Sequence, residues 1–296
     1  MSYNLRNKQV TALNFNSPVK PTWCPGCGNF AIFGALKSAL ADQNLTPTDV
    51  LITFDIGCNG NGADKINVYG FKGLHGRSIP IAAGAYVANR KLQIIAIGGD
   101  GGIMDEGIHH LIHAIRNNYD ITIIMHDNEN FGLTTGQETP TTPKNQPMVA
   151  SPWGVIAERL NPVQFALIAG ATFVAQGFSG DQKQLKDLIV AAMQHNGCSF
   201  IHIFQHCPSY NKFEDQDWFK KRIVNIDKLN GYDRTNRIKA IETVDYSNEK
   251  RYTGVIFEDK TALPFMDRIP YRKGKKSLLK DEVRVYNIEE ILEEFV

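Results

Sequence analysis

Five short apolar runs, at residues 50–55, 92–97, 121–126, 171–175 and 199–205, punctuate the first two thirds of the chain. Stretches patterned as helices lie at 29–42, 79–89, 105–117, 161–169 and 182–194, so strands and helices alternate. That alternation predicts an α/β fold: a doubly wound, mainly parallel sheet with helices on both faces. Two connections are unusually long. One is punctuated by Gly57, Gly60, Gly62, Gly70, Gly73 and Gly76, and the other is a polar, Thr-, Pro- and Gly-rich segment from Asp127 to about Ser151. Loops of that length are usually functional.

Beyond Tyr210 the pattern changes to a densely charged stretch at 212–228, a polar one at 232–250 and a basic cluster, Arg272-Lys-Gly-Lys-Lys276. The expected organisation is an N-terminal arm over 1–20, a main domain over 21–211 and a less regular extension over 212–296 that contacts a neighbouring subunit. Lys and Arg number 32 against 31 Asp and Glu, so no charge excess draws the chain to nucleic acid or an anionic membrane. No apolar run approaches the roughly 20 residues a bilayer demands, and the polar start carries no export signal, so a cytoplasmic location is expected.

The chemistry gathers where strands end. In open α/β sheets ligands sit beyond the carboxyl ends of strands, and here one strand runs into Gly99-Asp100-Gly101-Gly102 and the next into Asp127-Asn128. Glycines let backbone N–H groups approach phosphate oxygens, Asp100 offers a hard oxygen to Mg²⁺, and Asn128 offers an uncharged one. Alone, Gly-Asp-Gly-Gly is as readily an ordinary turn. Paired with Asn128 after the following strand, it resembles the thiamine-diphosphate motif of a wide enzyme superfamily.

Five cysteines without an export signal point to metal or redox chemistry over disulfides. Cys24 and Cys27 form a chelating C-x-x-C, Cys58 lies in the Gly-rich loop, and Cys207 follows the last apolar run. Four thiolates suit an iron–sulfur cluster or a structural zinc ion alike. Cys198, entering a strand, reads as a small buried hydrophobe. His109 and His113, at i and i+4 on a helix, could clamp a metal, but no third ligand is evident and a surface or interface role is the better reading.

Taken in order, Trp23-Cys-Pro-Gly-Cys-Gly28, Asp55-Ile-Gly-Cys58, Leu74-His-Gly-Arg77, Gly99-Asp-Gly101, Asp127-Asn128, Phe131-Gly-Leu-Thr134 and Pro140-Thr-Thr142 resemble the beta subunit of the 2-oxoacid:ferredoxin oxidoreductases, especially the two-subunit type. The resemblance spans about residues 21–211 and implies the thiamine-diphosphate-binding fold there. It implies that Cys24, Cys27, Cys58 and Cys207 hold a [4Fe–4S] cluster, Cys207 being followed by Pro208 where the family often has Pro before the Cys. It further places Asp100 and Asn128 on Mg²⁺ through their side chains and Asn130 through its carbonyl, with Ile56, Gly57, Cys58, Asn59, His75, Gly101, Gly102, Gly132 and Leu133 around the cofactor.

The implied activity is coenzyme A-dependent oxidative decarboxylation of a 2-oxoacid, 2-oxoglutarate or pyruvate, with electrons passed through the cluster to ferredoxin. Thr135 stands where relatives often carry Lys or Gly, which leaves the substrate open. Similar enzymes use a Glu of a second domain to activate the cofactor, and this chain has no room for one. An alpha subunit, or a fused alpha–gamma subunit, is therefore the expected partner, and no catalytic residue is assigned to this chain. Two rivals remain: a non-redox thiamine-diphosphate synthase or decarboxylase subunit with a structural zinc site, and a zinc-binding scaffold whose Gly-rich loops only turn the chain.

Overall fold

The computed structural model describes residues 9–270, together with Arg272 and Glu293, so most of the basic 272–276 cluster lies outside the described residues. The apolar runs become β1 (Val50–Phe54), β3 (Gln93–Gly99), β4 (Thr122–Asp127), β5 (Phe173–Phe178) and β6 (Ser199–Phe204). A further strand, β2 (Tyr69–Lys72), forms inside the Gly-rich loop, and β7 (Ile223–Asn225) and β8 (Arg251–Glu258) follow in the extension. One sheet results, in the order β2-β1-β3-β4-β6-β5-β8-β7. Every pair is parallel except β5 with β8.

Seven α-helices accompany it among the described residues: α1 (Asn29–Asp42), α2 (Ser78–Ala88), α3 (Ile108–Asn117), α4 (Pro162–Ile168), α5 (Gln182–Gln194), α6 (Gln216–Arg222) and α7 (Arg237–Thr243). Local chemistry sets several of their starts. The Asn161 side chain accepts from the amides of Val163 and Gln164 ahead of Pro162, and Asp181 accepts from Gln184 at the start of α5.

Side chains alternate across a strand, and the core divides accordingly. Ile94, Ala96, Ile123, Met125, Val174 and Phe200 pack with residues of α2, α3, α4 and α7 on one face. Their neighbours Ile95, Ile97, Ile124, Ala175 and Ile201 meet α1 and α5 on the other. Burying each such aliphatic side chain contributes roughly 1.5–3 kcal/mol, which is why central strands covered on both faces read as unbroken apolar runs. Among the described residues no helix is long and apolar enough to cross a membrane.

Three departures from the sequence expectation have local causes. All four residues of β2 are exposed on the sheet edge, so no apolar pattern announces the strand. The helix expected from Asp105 starts at Ile108, because the chain first passes through a π-helical turn, Gly102–Glu106, a form frequent at functional sites. The segment after Asn211, expected to be less regular, lays β8 antiparallel along β5 and extends the sheet. From β1 the chain steps outward to β2, then back across β1 to β3, so the winding reverses between β1 and β3. At such a switch point neighbouring loops diverge and open a crevice at the carboxyl edge.

Candidate active site

The crevice is there. A cleft of about 520 Å³, open to solvent on one side, is lined by Ile56, Gly57, Cys58 and Asn59 after β1, by His75 ahead of α2, by Gly99 to Gly102 after β3, and by Asn128 and Asn130 to Thr134 after β4. All nine residues expected around a cofactor and all three expected on Mg²⁺ therefore reach one cavity. Several buried polar atoms there have no hydrogen-bond partner, among them Asn59 Nδ2, His126 Nε2, Asn130 Oδ1 and Gln205 Oε1. Desolvated polar atoms left unpaired cost free energy, so such a set marks a surface shaped for a polar ligand.

One end of the Asn128 carboxamide lies 3.1 Å from Asp100 Oδ1 and 2.7 Å from the Asn130 carbonyl oxygen. With oxygen at that end, three hard acceptors converge on one point, the arrangement a small divalent cation relieves. With nitrogen there, the same amide donates to both. Asp100 Oδ2 faces away and accepts from the hydroxyls of Thr139 (2.6 Å) and Thr141 (3.0 Å). Burial, followed by the charge of Asp127, pushes the Asp100 carboxyl up to about 8, and a bound cation would reverse that pressure.

Behind Asp100 runs a buried polar chain. Thr141 also donates to Asp127 (2.8 Å), Asp127 pairs with His202 Nε2 (2.7 Å), and His202 Nδ1 meets the Gln176 amide (2.8 Å). Burial alone would raise Asp127, but His202, with Arg159 and the Thr141 hydroxyl, outweighs it, so this carboxylate is held below its ordinary range. A second buried group joins Arg159 to Glu129 and, at 2.9 Å, to Glu214. The guanidinium stays charged because the two carboxylates outweigh its own desolvation.

Glycine is required in the β3 loop by close approach as well as by any ligand. A Cβ at Gly102 would fall 1.5 Å from Asp55 Oδ2, and one at Gly101 would fall 2.1 Å from the Phe131 ring. Asp55 is fully buried and accepts from the Gly76 amide (2.7 Å), which anchors the loop carrying His75; the His75 ring lies 3.0 Å from Glu106 and packs against Phe131. Gly102→Ala is expected to cost about 1–3 kcal/mol as an overpacked core position does, with the β3 loop displaced. A thermal melt checks this, and an unchanged melting temperature would refute the close approach.

The four loop cysteines are stitched together by backbone. Gly26, at φ +81°, turns the chain so that the Cys27 amide donates to the Cys24 carbonyl (3.0 Å), and Gly28 donates to His206 beside Cys207 (3.1 Å). Trp23 Nε1 donates to the Cys58 carbonyl (2.6 Å). Burial first, then the charges of Cys27, Cys207 and Cys24, pushes Cys58 up to about 12, so each of the other three thiols acts on it. Burial raises Cys27 to about 11, with Cys207 and Cys24 adding to it. Ser209 Oγ donates to Cys24 Sγ (3.2 Å) and Gln205 Nε2 to Cys27 Sγ (3.8 Å). Among the described residues no three His, Cys, Asp or Glu side chains are gathered tightly enough for a single metal ion. Cys198 lies in the core, away from the other four, and the His109 ring packs at a tilt against that of His110 along α3.

Sequence reasoning assigned no role to Thr139 and Thr141, Asp127, His126, Gln205 or the Arg159 group. Thr141 lies within the Pro140-Thr-Thr142 motif and Thr139 just before it, but nothing local signals that Arg159 reaches Glu129, 30 residues earlier. Comparison with known proteins agrees with the geometry. Residues 55–203 match the family model of the thiamine pyrophosphate enzyme, C-terminal TPP binding domain, and residues 207–274 match the model of the C terminal of the pyruvate ferredoxin oxidoreductase beta subunit. The chain is 38% identical over 250 residues to the 2-oxoacid:ferredoxin oxidoreductase subunit beta of a Sulfolobus species, covering 84% of this chain and 79% of that one. It is 37% identical over 221 residues to 2-oxoacid:ferredoxin oxidoreductase 2, subunit beta, of Aeropyrum pernix, covering 75% and 72%. A solved structure of 2-oxoglutarate:ferredoxin oxidoreductase from Magnetococcus marinus, with 2-oxoglutarate, coenzyme A and succinyl-CoA bound, superposes with a TM-score of 0.88 at 30% identity, over 97% of this chain and 96% of that one.

Proposed function

The chain belongs to the beta subunits of the 2-oxoacid:ferredoxin oxidoreductases, and from that premise we propose that its cleft holds thiamine diphosphate through Mg²⁺ and that its four loop cysteines hold a [4Fe–4S] cluster. The observation that carries the reading is the convergence of Asp100, Asn128 and the Asn130 carbonyl in the same cleft that Cys58 lines. Cofactor and electron acceptor then share one loop. A tetrahedral zinc site would bring thiolates to about 3.8 Å of one another, from Zn–S bonds of about 2.3 Å. A cluster needs all four thiols in reach of one another, and the other three act on Cys58.

Thiamine diphosphate, when bound, supplies the carbon nucleophile that releases CO₂ from a 2-oxoacid, and the cluster supplies a one-electron exit. This chain's residues bind and orient. Asp100, Asn128 and Asn130 would hold the cation and the backbone of Gly101 and Gly102 the diphosphate, while Thr139 and Thr141 fix the Asp100 carboxylate. Burial keeps His126 neutral, its pKa pushed down to about 4, so it adds no charge beside the reacting groups. Phe131 and Leu133 supply apolar wall to the cleft. The substrate we favour is 2-oxoglutarate, the acid in the Magnetococcus structure, with acyl transfer to coenzyme A and electrons leaving to ferredoxin. The activating Glu comes from the alpha subunit.

The test is anaerobic purification with and without the partner subunit, followed by iron, zinc and sulfide analysis and by ferredoxin reduction with 2-oxoglutarate or pyruvate plus coenzyme A. The expected protein is brown, with about four iron and four sulfide per chain, and turns over only with its partner. Colourless protein holding zinc would sink the cluster, turnover by the isolated chain would sink the shared site, and preference for pyruvate would correct the substrate.

A further inference from the structure

Between Asn128 and Asn130, two of the three residues proposed to face Mg²⁺, stands Glu129, with φ at +59° and only 1% exposed. Among the described residues, three of the other four non-glycine residues of positive φ are Asn, which tolerates the left-handed conformation; Glu tolerates it less, and bears the penalty of its Cβ meeting the backbone. The conformation has a geometric result. It turns the chain between Asn128 and Asn130 so that the side chain of the first and the carbonyl of the second meet beside Asp100. Strain of this kind persists only where surroundings over-determine it.

Those surroundings are specific. One Glu129 carboxylate oxygen accepts from Arg159 and the other from Asn211 Nδ2 (2.8 Å), which also donates to the Asn128 carbonyl (3.3 Å). The Glu129 carbonyl accepts from Thr142 (2.7 Å), and its amide donates to Asp127 (3.1 Å). Arg159 is pinned in turn by Glu214 (2.9 Å) and lies 4.5 Å over the Tyr246 ring. Asn211 and Glu214 belong to the segment that follows Cys207, and Tyr246 to the stretch leading into β8.

We propose that Arg159 is a positioning residue of the metal site: through its buried pair with Glu129 it holds the 128–130 turn left-handed, so that the cation's oxygens are preorganised. Glu214 and Asn211 extend the same brace to the segment carrying Cys207. The inference rests on the reading of this cleft as a Mg²⁺–diphosphate site. A merely structural ion pair would stabilise the fold without touching metal affinity.

The test uses the complex with its partner subunit and reads three quantities: the Mg²⁺ concentration that half-saturates thiamine diphosphate binding by calorimetry, the melting temperature, and the visible absorbance of the cluster. Arg159→Met should raise the half-saturating Mg²⁺ about 10- to 100-fold, the range typical when a partner of a metal ligand is lost. Arg159→Lys, which keeps the charge but not the two-pronged geometry, should fall between that variant and the parent. Glu129→Ala and Glu129→Gly remove the pair equally, yet Gly adopts the left-handed turn freely. Ala should therefore demand about 5- to 30-fold more Mg²⁺ than Gly, the reverse of the usual Ala-over-Gly order.

If Arg159→Met does not fold, the Glu129 pair still decides. Equal Mg²⁺ requirements for Ala and Gly, or an Arg159→Met complex that melts earlier but binds Mg²⁺ as the parent does, would overturn the positioning role. Thiamine diphosphate binding by the parent that is indifferent to Mg²⁺ would instead overturn the reading of the site, and this inference with it.

Discussion

Asp100→Ala is expected to abolish Mg²⁺-dependent binding of thiamine diphosphate while leaving the fold in place. Of the three groups that converge in the cleft, Asp100 carries the charge, while the Asn128 carboxamide and the Asn130 carbonyl are neutral. A divalent ion held without an anionic ligand from the protein loses several kcal/mol, so affinity for the metal–diphosphate pair should fall at least ~100-fold and turnover with it. The fold should survive, because Thr139 keeps Thr141 and Thr142 as neighbours at 3.2 and 3.3 Å and Thr141 keeps its bond to Asp127. Removing Asp100 also removes a buried carboxyl whose ionisation burial opposes. Calorimetric titration with and without Mg²⁺, beside a thermal melt, checks both halves. Unchanged Mg²⁺-dependent affinity would mean that the cation sits elsewhere, and a collapsed melt would mean that Asp100 is structural.

Cys58→Ala should yield a complex without the visible absorbance of the cluster, depleted of iron and unable to reduce ferredoxin. Its sulfur lies in the loop that lines the cofactor cleft, within influence of the other three loop thiols. A Cys₄-held cluster deprived of one thiolate loses the ligand set that defines it, so the expected loss of 2-oxoacid-dependent electron transfer is complete within detection, about 10³-fold or more. Cys198→Ala is the internal control. That side chain is fully buried in the apolar core, and its loss should leave iron content and colour untouched at a modest cost in stability, about 1 kcal/mol or less. Full iron and colour in Cys58→Ala would sink the four-cysteine assignment. Loss of colour in Cys198→Ala would show that the core position reaches the cluster.

Much of this was legible in the sequence because its signals are local. A strand buried on both faces must be apolar over its length, so β3, β4, β5 and β6 declare themselves within three residues of their ends. A parallel sheet sends all its ligand-facing loops to one edge, so Asp100 and Asn128, each at the end of such a strand, had to emerge together. The spacing of the cysteines and glycines named their chemistry as a short list of alternatives, which the family motifs narrowed.

What only the tertiary structure decided is everything that depends on partners distant in sequence. Strand β2 is exposed on an edge and held by pairing with β1, and β8 finds its place against β5 from more than seventy residues further along the chain; neither carries a pattern that states its neighbour. The requirement for glycine at 101 and 102 comes from Phe131 and Asp55, about thirty and nearly fifty residues away. Arg159, Glu129 and Glu214 are three ordinary charged residues until the fold brings them together out of water. Periodicity encodes which face of an element is buried, and the backbone reads it locally. Which buried groups then meet is set by topology and packing, because a buried charge must find its counter-charge wherever the chain happens to bring one.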